Sequence, residues 1–382
     1  MLQNNWRWIN LLDSFENRTS SKKIQQKDYL ADGRIPVIDQ GQKLIGGYTN
    51  EVDLKYDGEL PIILFGDHTR CIKYIDFPFV QGADGVKVLE PKKFYLPKAL
   101  FYILQTLNMP DLGYRRHFPL FKNYTIPLPP LEEQQRIVNV IENLFAKLDR
   151  AKVLAQSVVD NYELRRSVIL YRAFTAQLTG SNLDDWQKCN LQSVCSMTIT
   201  DGTHKTPIYC EPNEGIPFIS SKDVKYGCID WNHIKYIVPE LHEELYKRLS
   251  PQLDDILLAK NGTTGVAAIV DVDKVFDIYV TLAVLRPNQN IIYPRYLLYI
   301  INSPICKQQF DSKLTGIAVP NLHLRDIKSV SINLPSMVEQ KEIVRILDSL
   351  LAKEQRTKEL AELTLRQIDL MKKAILMKAF NG

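Results

Sequence analysis

The sequence lacks most features that metal, disulfide or membrane chemistry requires. Its six cysteines are scattered over 382 residues without a Cys-x-x-Cys pair, so neither a disulfide framework nor a zinc site is predicted. The six histidines are also dispersed, without ligand spacing, and no metal site is expected. No run of eighteen apolar residues occurs, and the opening residues MLQNNWRW contain no apolar core. We therefore expect no membrane insertion and no export, and a cytoplasmic location.

Catalytic motifs are missing as well. The sequence has no G-x-x-x-x-G-K-[ST] phosphate loop, no H-E-x-x-H motif and no Asn-Pro-Pro-[Tyr/Phe] tetrapeptide of the kind found in amino-methyltransferases. The glycine-rich stretch 261–265 lacks the lysine of a phosphate loop and is predicted to form a turn. The net charge of +4, from 48 basic and 44 acidic residues, decides little, because nucleic-acid binding depends on local patches. A chain without catalytic chemistry of its own is expected.

An internal repeat sets the organisation of the chain. Residues 128–174, which begin LPPLEEQQRIV, align without a gap at an offset of 206 with residues 334–380, which begin LPSMVEQKEIV. Apolar residues recur at intervals of three and four in both copies, which predicts two long helices. Each would have about 42 residues and be roughly 60 Å long. Gly180 and Gly382 are predicted to mark the helix ends.

The two predicted helices need a partner for their apolar seams. Pro130 suits a first helical turn, and Ser336 with Glu339 has the spacing of a capping box. The helices can bury their seams most simply by pairing with each other, and the long segment between them permits an antiparallel arrangement. The seam positions that we expect in helix pairing or partner docking are Val138, Ile141, Phe145, Val344, Leu347 and Leu351.

The segments before the two helices repeat more loosely. Trp6-x-x-x-Asn10-Leu11 matches Trp186-x-x-x-Asn190-Leu191, and PKALFYI at 97–103 matches PRYLLYI at 294–300. Short runs such as PIILFG (61–66) and DDILLAKNG (254–262) are predicted to be strands, and the two matched proline-led segments short helices. We therefore expect α+β globules in the order globule (1–127), long helix (128–180), globule (181–333), long helix (334–382).

Polar loops in both globules carry groups suited to reading DNA. Arginine and lysine suit guanine edges and phosphates, asparagine suits adenine, and hydroxyl groups suit either. For any one residue, an ordinary solvated loop is the competing interpretation, but equivalent placement in two repeated globules favours function. The candidate DNA contacts are His68, Thr69, Arg70, Arg115, Arg116, His117, Thr203, His204, Lys205, Ser221, Lys222, Lys260, Asn321 and His323.

With these residues in view, the whole chain resembles the specificity subunit of type I restriction-modification enzymes. The resemblance rests on the twin LPPLEEQ and LPSMVEQ helix starts, the helices running to Ala-Phe, the DGTHKTP loop at 201–207 and the Trp-x-x-x-Asn-Leu openings. It implies two target recognition domains joined by two long helices packed as an antiparallel coiled coil. Each domain would read one half of a bipartite site in double-stranded DNA.

The resemblance also implies partners. The helices would set the gap between half-sites and dock two modification (methyltransferase) subunits, which bring S-adenosylmethionine. Restriction (translocase/nuclease) subunits would add chemistry that needs ATP and Mg²⁺, and this chain would hold no cofactor itself. The main alternative is a non-catalytic interaction scaffold with two lobes on a helical hairpin. A self-sufficient methyltransferase or nuclease is argued against by the missing motifs, and a specificity protein that has lost its partners stays possible.

Overall fold

The computed structural model of the chain describes residues 6–20, 22–83, 85–314 and 321–381. The chain divides into two compact units: unit 1 is Met1–Ser157 with Ala361–Gly382, and unit 2 is Val158–Leu360. Each unit contains one globule together with parts of both predicted long helices. Among the described residues, no helix combines the length and the apolar composition that crossing a membrane requires.

Unit 1 is built around an antiparallel sheet in the order β2-β8-β5-β6 and a smaller sheet in the order β4-β3-β7, in which β3 and β7 are parallel. A third pairing joins β1 to β9. Its elements are β1 (Arg7–Asn10), β2 (Phe15–Asn17), β3 (Ile35–Ile38), β4 (Gly47–Thr49), β5 (Ile62–Gly66), β6 (Ile72–Ile75), β7 (Val80–Gln81), β8 (Val86–Pro91), α1 (Pro97–Thr106), β9 (Thr125–Leu128) and most of α2 (Leu131–Asp160).

Unit 2 repeats this plan with the sheets β11-β18-β15-β16 and β12-β14-β13-β17 and the pair β10-β19. The added edge strand β12 and the helix α4 account for part of the greater length of the second globule. The elements are α3 (Tyr162–Ala173), β10 (Gln187–Asn190), β11 (Thr200–Asp201), β12 (Tyr209–Cys210), β13 (Ile216–Ile219), β14 (Lys235–Ile237), α4 (Pro239–Arg248), β15 (Ile256–Ala259), β16 (Ala267–Ile269), β17 (Asp277–Ile278), β18 (Leu282–Leu285), α5 (Pro294–Ile301), α6 (Pro304–Asp311), α7 (Leu324–Lys328), β19 (Ser331–Leu334) and α8 (Met337–Asn381).

The sequence repeat is reproduced in strand register. Arg7 lies opposite Leu128 in the β1–β9 pair, and Gln187 lies opposite Leu334 in the β10–β19 pair. The first strand of one pair is therefore related to the first strand of the other by the offset of 180, and the second strands are related by the offset of 206. The predicted mixed α+β content, the strands at 61–66 and 254–262 and the two proline-led helices are all present.

A buried glutamine ties each short helix to the start of the following long helix. The Gln134 side-chain oxygen accepts from the backbone N–H of Leu96 at 2.8 Å, and its nitrogen donates to the carbonyls of Phe94 (2.9 Å) and Pro129 (2.8 Å). In the second copy, Gln340 makes the same three bonds, to the N–H of Tyr293 and the carbonyls of Ile291 and Pro335. Both glutamines are fully buried, so each amide completes backbone hydrogen bonding that water cannot reach.

An ion pair repeats beside each glutamine. Lys98 of α1 contacts Glu142 of α2 at 2.5 Å, and Arg295 of α5 contacts Asp348 of α8 at 2.6 Å. These residues differ in type but occupy positions related by the same offsets, 197 for the short helix and 206 for the long helix. The two copies therefore preserve charge complementarity rather than residue identity at this contact.

Within each unit, the long-helix segments run antiparallel to each other. In unit 1, α2 and α8 are joined by the ion pairs Lys152–Asp369 (2.9 Å) and Lys372–Asp149 (2.5 Å). In these pairs the residue numbers rise along one helix as they fall along the other. In unit 2, Arg165 of α3 contacts Glu354 of α8 at 2.7 Å. The Tyr162 hydroxyl of α3 donates to Gln355 of α8 at 2.8 Å, so here too the numbers fall along one helix as they rise along the other. The segments within each unit are therefore antiparallel.

The predicted seam residues lie on these packed faces. Val138 and Ile141 are buried with Leu376 and Phe380 in the core of unit 1. Val344 and Leu347 are buried with Leu170, Ala173 and Phe174 in the core of unit 2. Phe145 and Leu351, the last seam position in each copy, are half-buried at the margins of these cores.

The first predicted long helix differs from the expectation in two places. It is interrupted at Asn161, whose backbone (φ −91°, ψ 5°) is not helical, so α2 and α3 are separate elements. Serine, β-branched valine, aspartate and asparagine follow one another at 157–161, and all of them are weak helix formers. The helix also ends at Ala173 rather than Gly180, and turns fill the intervening residues. The expected end at Gly382 lies outside the described residues.

Candidate nucleic-acid interface

Three polar loops of unit 1 meet at the end of its main sheet, and we call them the first loop cluster: residues 39–46 after β3, residues 67–70 between β5 and β6, and residues 111–117. The Thr69 hydroxyl donates to the carbonyl of Gln40 at 2.6 Å and so joins the first two loops. The backbone N–H of His117 donates to the carbonyl of Asp67 at 2.8 Å and joins the third.

Unit 2 builds the same junction from different residues. Its second loop cluster comprises residues 220–228 after β13, residues 260–265 between β15 and β16, and residues 321–323. The Thr263 hydroxyl donates to the carbonyl of Ser221 at 3.0 Å, and the N–H of Leu322 donates to the carbonyl of Lys260 at 3.0 Å. Gln40 and Ser221 each lie two residues beyond their strand. The structure thus joins three loops in an equivalent way in both units, and these include the sequence-predicted loops at 67–70, 114–117, 220–222 and 321–323.

The two hairpin tips share a backbone conformation but not a residue type. Arg70 has φ +58° and Gly265 has φ +86°, and each N–H closes its hairpin on the preceding strand, to Gly66 (2.8 Å) and Ala259 (2.9 Å) respectively. A left-handed conformation costs a non-glycine residue about 1 kcal/mol. The Arg70 guanidinium donates to the Met109 carbonyl at 3.1 Å and contacts Asp111 at 2.7 Å. Arg70 therefore anchors the third loop of its cluster.

His117, predicted as a DNA contact, is instead a buried support. Its side chain is fully buried; its Nδ1 lies 2.9 Å from the Asp67 carbonyl, and its Nε2 accepts from the N–H of Leu112 at 3.3 Å. The buried Asp67 carboxylate accepts from the N–H of Phe118 at 2.7 Å. With no exposed surface in this structure, His117 cannot touch a ligand directly, and it fixes the path of the third loop.

The exposed part of the first loop cluster is aromatic and basic. The His68 ring stacks on Tyr114 with centroids 4.6 Å apart and planes 9° apart, and Tyr114 is 85% exposed. Arg115 and Arg116 follow it and are exposed, and within the described part of the chain neither side chain has an ion-pair or hydrogen-bond partner. Tyr114 was not among the sequence-predicted contacts, although its neighbours were.

A buried lysine shapes the first of these loops. Lys73 is 4% exposed, and its Nζ donates to the carbonyls of Asp39 (2.7 Å) and Lys43 (2.5 Å). Burial lowers the pKa of Lys73, which the neighbouring Asp39 carboxylate partly opposes. The sequence does not mark Lys73 as a loop support, because its role depends on contact with Lys43, which lies 30 residues earlier in the chain.

Several predicted contacts of unit 2 are buried supports as well. The Lys260 ammonium pairs with Asp201 at 2.5 Å, and both side chains are less than 10% exposed. Thr203 and Ser221 are also buried; the Thr203 hydroxyl accepts from the N–H of Lys205 at 3.0 Å. These groups hold the 201–207 loop and the second loop cluster in place, so we assign them to positioning rather than to direct contact.

The remaining candidates of unit 2 are accessible. His204, Lys222 and His323 are exposed, and Asn321 is half-buried, forming a backbone bridge with Asn261. Lys205 is exposed but pairs with Glu244 of α4. Lys205 therefore holds the 201–207 loop against α4, while His204 lies 3.4 Å from Asp201, the residue that pairs with Lys260 of the second loop cluster.

The helix α4 is itself held by a buried acid. His242 of α4 lies 2.6 Å through Nδ1 from the Asp277 carboxylate of β17. Burial raises the pKa of Asp277, and the His242 contact opposes the rise. The Arg248 guanidinium at the end of α4 donates to the Asp201 carbonyl at 2.8 Å. The helix thus connects the second sheet of this unit to the 201–207 loop.

The chain contains two copies of one α+β globule. Each copy has the same junction of polar loops and is attached to long-helix segments. This arrangement is that of a protein with two equivalent binding domains. The family model "Type I restriction modification DNA specificity domain" matches residues 4–156 and 183–364. The chain therefore belongs to the family of type I restriction-modification DNA specificity proteins, as the sequence resemblance predicted.

Individual relatives agree with the family. The chain is 27% identical over 281 residues to the type I restriction enzyme EcoBI specificity subunit of Escherichia coli. This alignment covers 67% of the chain and 58% of that relative's length. It is 24% identical over 337 residues to the EcoR124I/EcoR124II specificity subunit of Escherichia coli, covering 85% and 81% of the two chains. A crystal structure of the HsdS subunit from Thermoanaerobacter tengcongensis shares the fold, with a TM-score of 0.62, 20% identity and coverage of 100% and 98%.

Proposed function

We propose that each globule reads one half of a bipartite site in double-stranded DNA, through its loop cluster, as the non-catalytic specificity subunit of a type I restriction-modification complex. The observation that carries the proposal is the matched junction, Thr69 to Gln40 and Thr263 to Ser221. The same framework bonds hold loops whose exposed side chains differ. A protein that recognises two different half-sites with one duplicated fold needs this combination.

The exposed groups divide into two kinds of DNA contact. Arg115, Arg116 and Lys222 are exposed and lack an ion-pair partner among the described residues, so we assign them to phosphates or guanine edges. His68, Asn321 and His323 supply hydrogen-bonding groups in the loop clusters, and His204 supplies one on the 201–207 loop. The Thr69 hydroxyl already bonds the Gln40 carbonyl, and we assign it to the framework. Lys205 and Arg70 are already paired with carboxylates, and reading a base would require them to share or exchange that partner.

In this proposal the long helices serve as the spacer and docking platform. They would pair as an antiparallel coiled coil between target recognition domains at 1–127 and 181–333, with spacer segments at 128–180 and 334–382. A 45-residue helix such as α8 is roughly 68 Å long at ~1.5 Å per residue, close to two turns of B-DNA at about 34–36 Å each. Two modification subunits would bind S-adenosylmethionine, and restriction subunits would use ATP and Mg²⁺.

Methylation mapping tests the proposal directly. Cells carrying the modification subunit are compared with and without this chain, and adenine methylation is read by long-read sequencing. We expect a two-part motif with a fixed gap that appears only with the chain. Replacing residues 1–127 by the corresponding domain of another family member should change one half of the motif only. A complete absence of a motif with both proteins expressed would favour the interaction-scaffold alternative.

A further inference from the structure

We propose that Tyr114, backed by His68, is a stacking platform for one unstacked base in the half-site that unit 1 reads; this inference rests on the proposed function. Tyr114 is 85% exposed, while His68 lies nearly parallel to it at 4.6 Å between centroids. A tyrosine ring with one face supported by a second ring and the rest open to solvent suits a nucleobase, because every base has a π-face on which aromatic side chains stack.

Hydrogen bonds hold His68 and the backbone on either side of Tyr114. The Nδ1 atom of His68 lies 3.2 Å from the Tyr114 carbonyl, and the N–H of His68 donates to the Gln40 side chain at 3.2 Å. Gly113, with φ +63°, turns the chain immediately before Tyr114, and its N–H donates to Asp111 at 2.9 Å. These bonds position His68 and the backbone at Tyr114 before any ligand arrives, which reduces the ordering cost of binding.

The loop that carries the platform is anchored from behind by the groups described above. Arg70 pairs with Asp111, and the Gly113 N–H together with Arg70 lowers the pKa of Asp111, which keeps its carboxylate ionised. His117, fully buried, fixes the other end of the loop. Residues 111–117 are thus a projecting loop with an aromatic tip, and hydrogen bonds hold it on both sides of that tip.

Charge next to the platform indicates a nucleotide rather than an isolated ring. Arg115 and Arg116 are the next two residues, both exposed and both without an ion-pair partner among the described residues. Guanidinium groups beside an aromatic face match the phosphates that flank a base. The free energy needed to unstack a base is smallest where its base pair is already weak. Weakening the pair at the stacked base should therefore increase the affinity for DNA.

The experiment uses the full chain in complex with its modification subunit, and duplexes carrying the methylated motif once that motif is mapped. Each base of the first half-site in turn is placed opposite an abasic position, and affinities are measured by competition against the intact duplex. Apart from the methylated adenine, which the modification subunit itself extrudes, we expect one position at which loss of the pairing partner tightens binding of the wild-type chain by about tenfold, because the unstacking cost is already met. Elsewhere in the half-site, loss of a base should weaken binding.

Substitutions at the platform separate stacking from other roles. Tyr114→Ala should lose the tenfold preference, Tyr114→Phe should keep it, and His68→Ala should reduce it. Tyr209→Ala is the matched control, since Tyr209 is an exposed tyrosine on β12 of unit 2, outside both loop clusters and the long helices, and it should retain the preference. Because Tyr114 is so exposed, its replacement should leave folding intact, as checked by thermal unfolding.

The outcomes are distinct. If no position shows tighter binding, or if Tyr114→Ala keeps the preference, the stacking platform is wrong while sequence recognition by the chain stands. If Tyr114→Ala weakens binding to every duplex by one common factor, Tyr114 is a general surface contact and the platform is again wrong. If the wild-type complex shows no preference for any sequence, the proposed function itself fails.

Discussion

The buried glutamines offer a quantitative test of the repeat. In Gln134→Met the side chain keeps a similar length but loses three hydrogen bonds, to the Leu96 N–H and to the carbonyls of Phe94 and Pro129. Each such bond contributes about 1 kcal/mol, so unit 1 should lose about 3 kcal/mol of unfolding free energy. At a urea dependence of about 2 kcal/mol per molar, the midpoint should fall by roughly 1.5 M.

The matched variants make this prediction refutable. Gln340→Met removes the equivalent three bonds and should destabilise unit 2 by a similar amount. Gln135→Met alters an exposed neighbour that bonds only Asn139 and should change stability by less than about 0.5 kcal/mol. Hydrogen exchange of 94–106 and 291–301 assigns each loss to its own unit. A Gln134→Met midpoint equal to that of Gln135→Met would refute the reasoning.

Two further predictions concern charge. Lys152→Glu places a negative charge opposite Asp369 across α2 and α8 and should destabilise unit 1 by about 0.5–1 kcal/mol. Adding Asp369→Lys should restore most of the lost unfolding free energy in the double variant. Additive effects of the two substitutions in urea unfolding would contradict this contact. Burial raises the pKa of Asp277 against the opposing His242, so folded unit 2 holds that proton more tightly than the unfolded chain. Its contribution is therefore present at acidic pH and lost as pH rises through the folded pKa. The urea midpoint of the wild type relative to Asp277→Asn should fall as pH rises from acidic towards neutral, and a difference that does not change with pH would contradict the raised pKa of Asp277.

Much of the candidate site followed from local sequence, but the roles of its residues did not. The loops at 67–70, 114–117, 201–206, 220–222 and 321–323 were predicted because polar residues follow strands or precede helices at repeated positions. Which side chains face outward was not predictable. His117 and Lys260 are as polar as their exposed neighbours, yet both are buried. They bond to Asp67 and Asp201, which lie about 50 to 60 residues away in the sequence. Tyr114 lies in the predicted loop at 114–117 but was not singled out, because an isolated tyrosine in a loop carries no periodic signal.

The sequence alone determined the duplication, the mixed helix and strand content and the family, and it permitted an antiparallel direction of the helix segments without requiring it. These depend on patterns that repeat along the chain: apolar spacing, proline-led helix starts and gapless identity at a fixed offset. Only the tertiary structure decided where the first helix breaks at Asn161, which loops meet through Thr69 and Thr263, and which of the polar and charged loop residues are buried. Those outcomes depend on burial and on hydrogen bonds between residues far apart in sequence, whose energies no local pattern encodes.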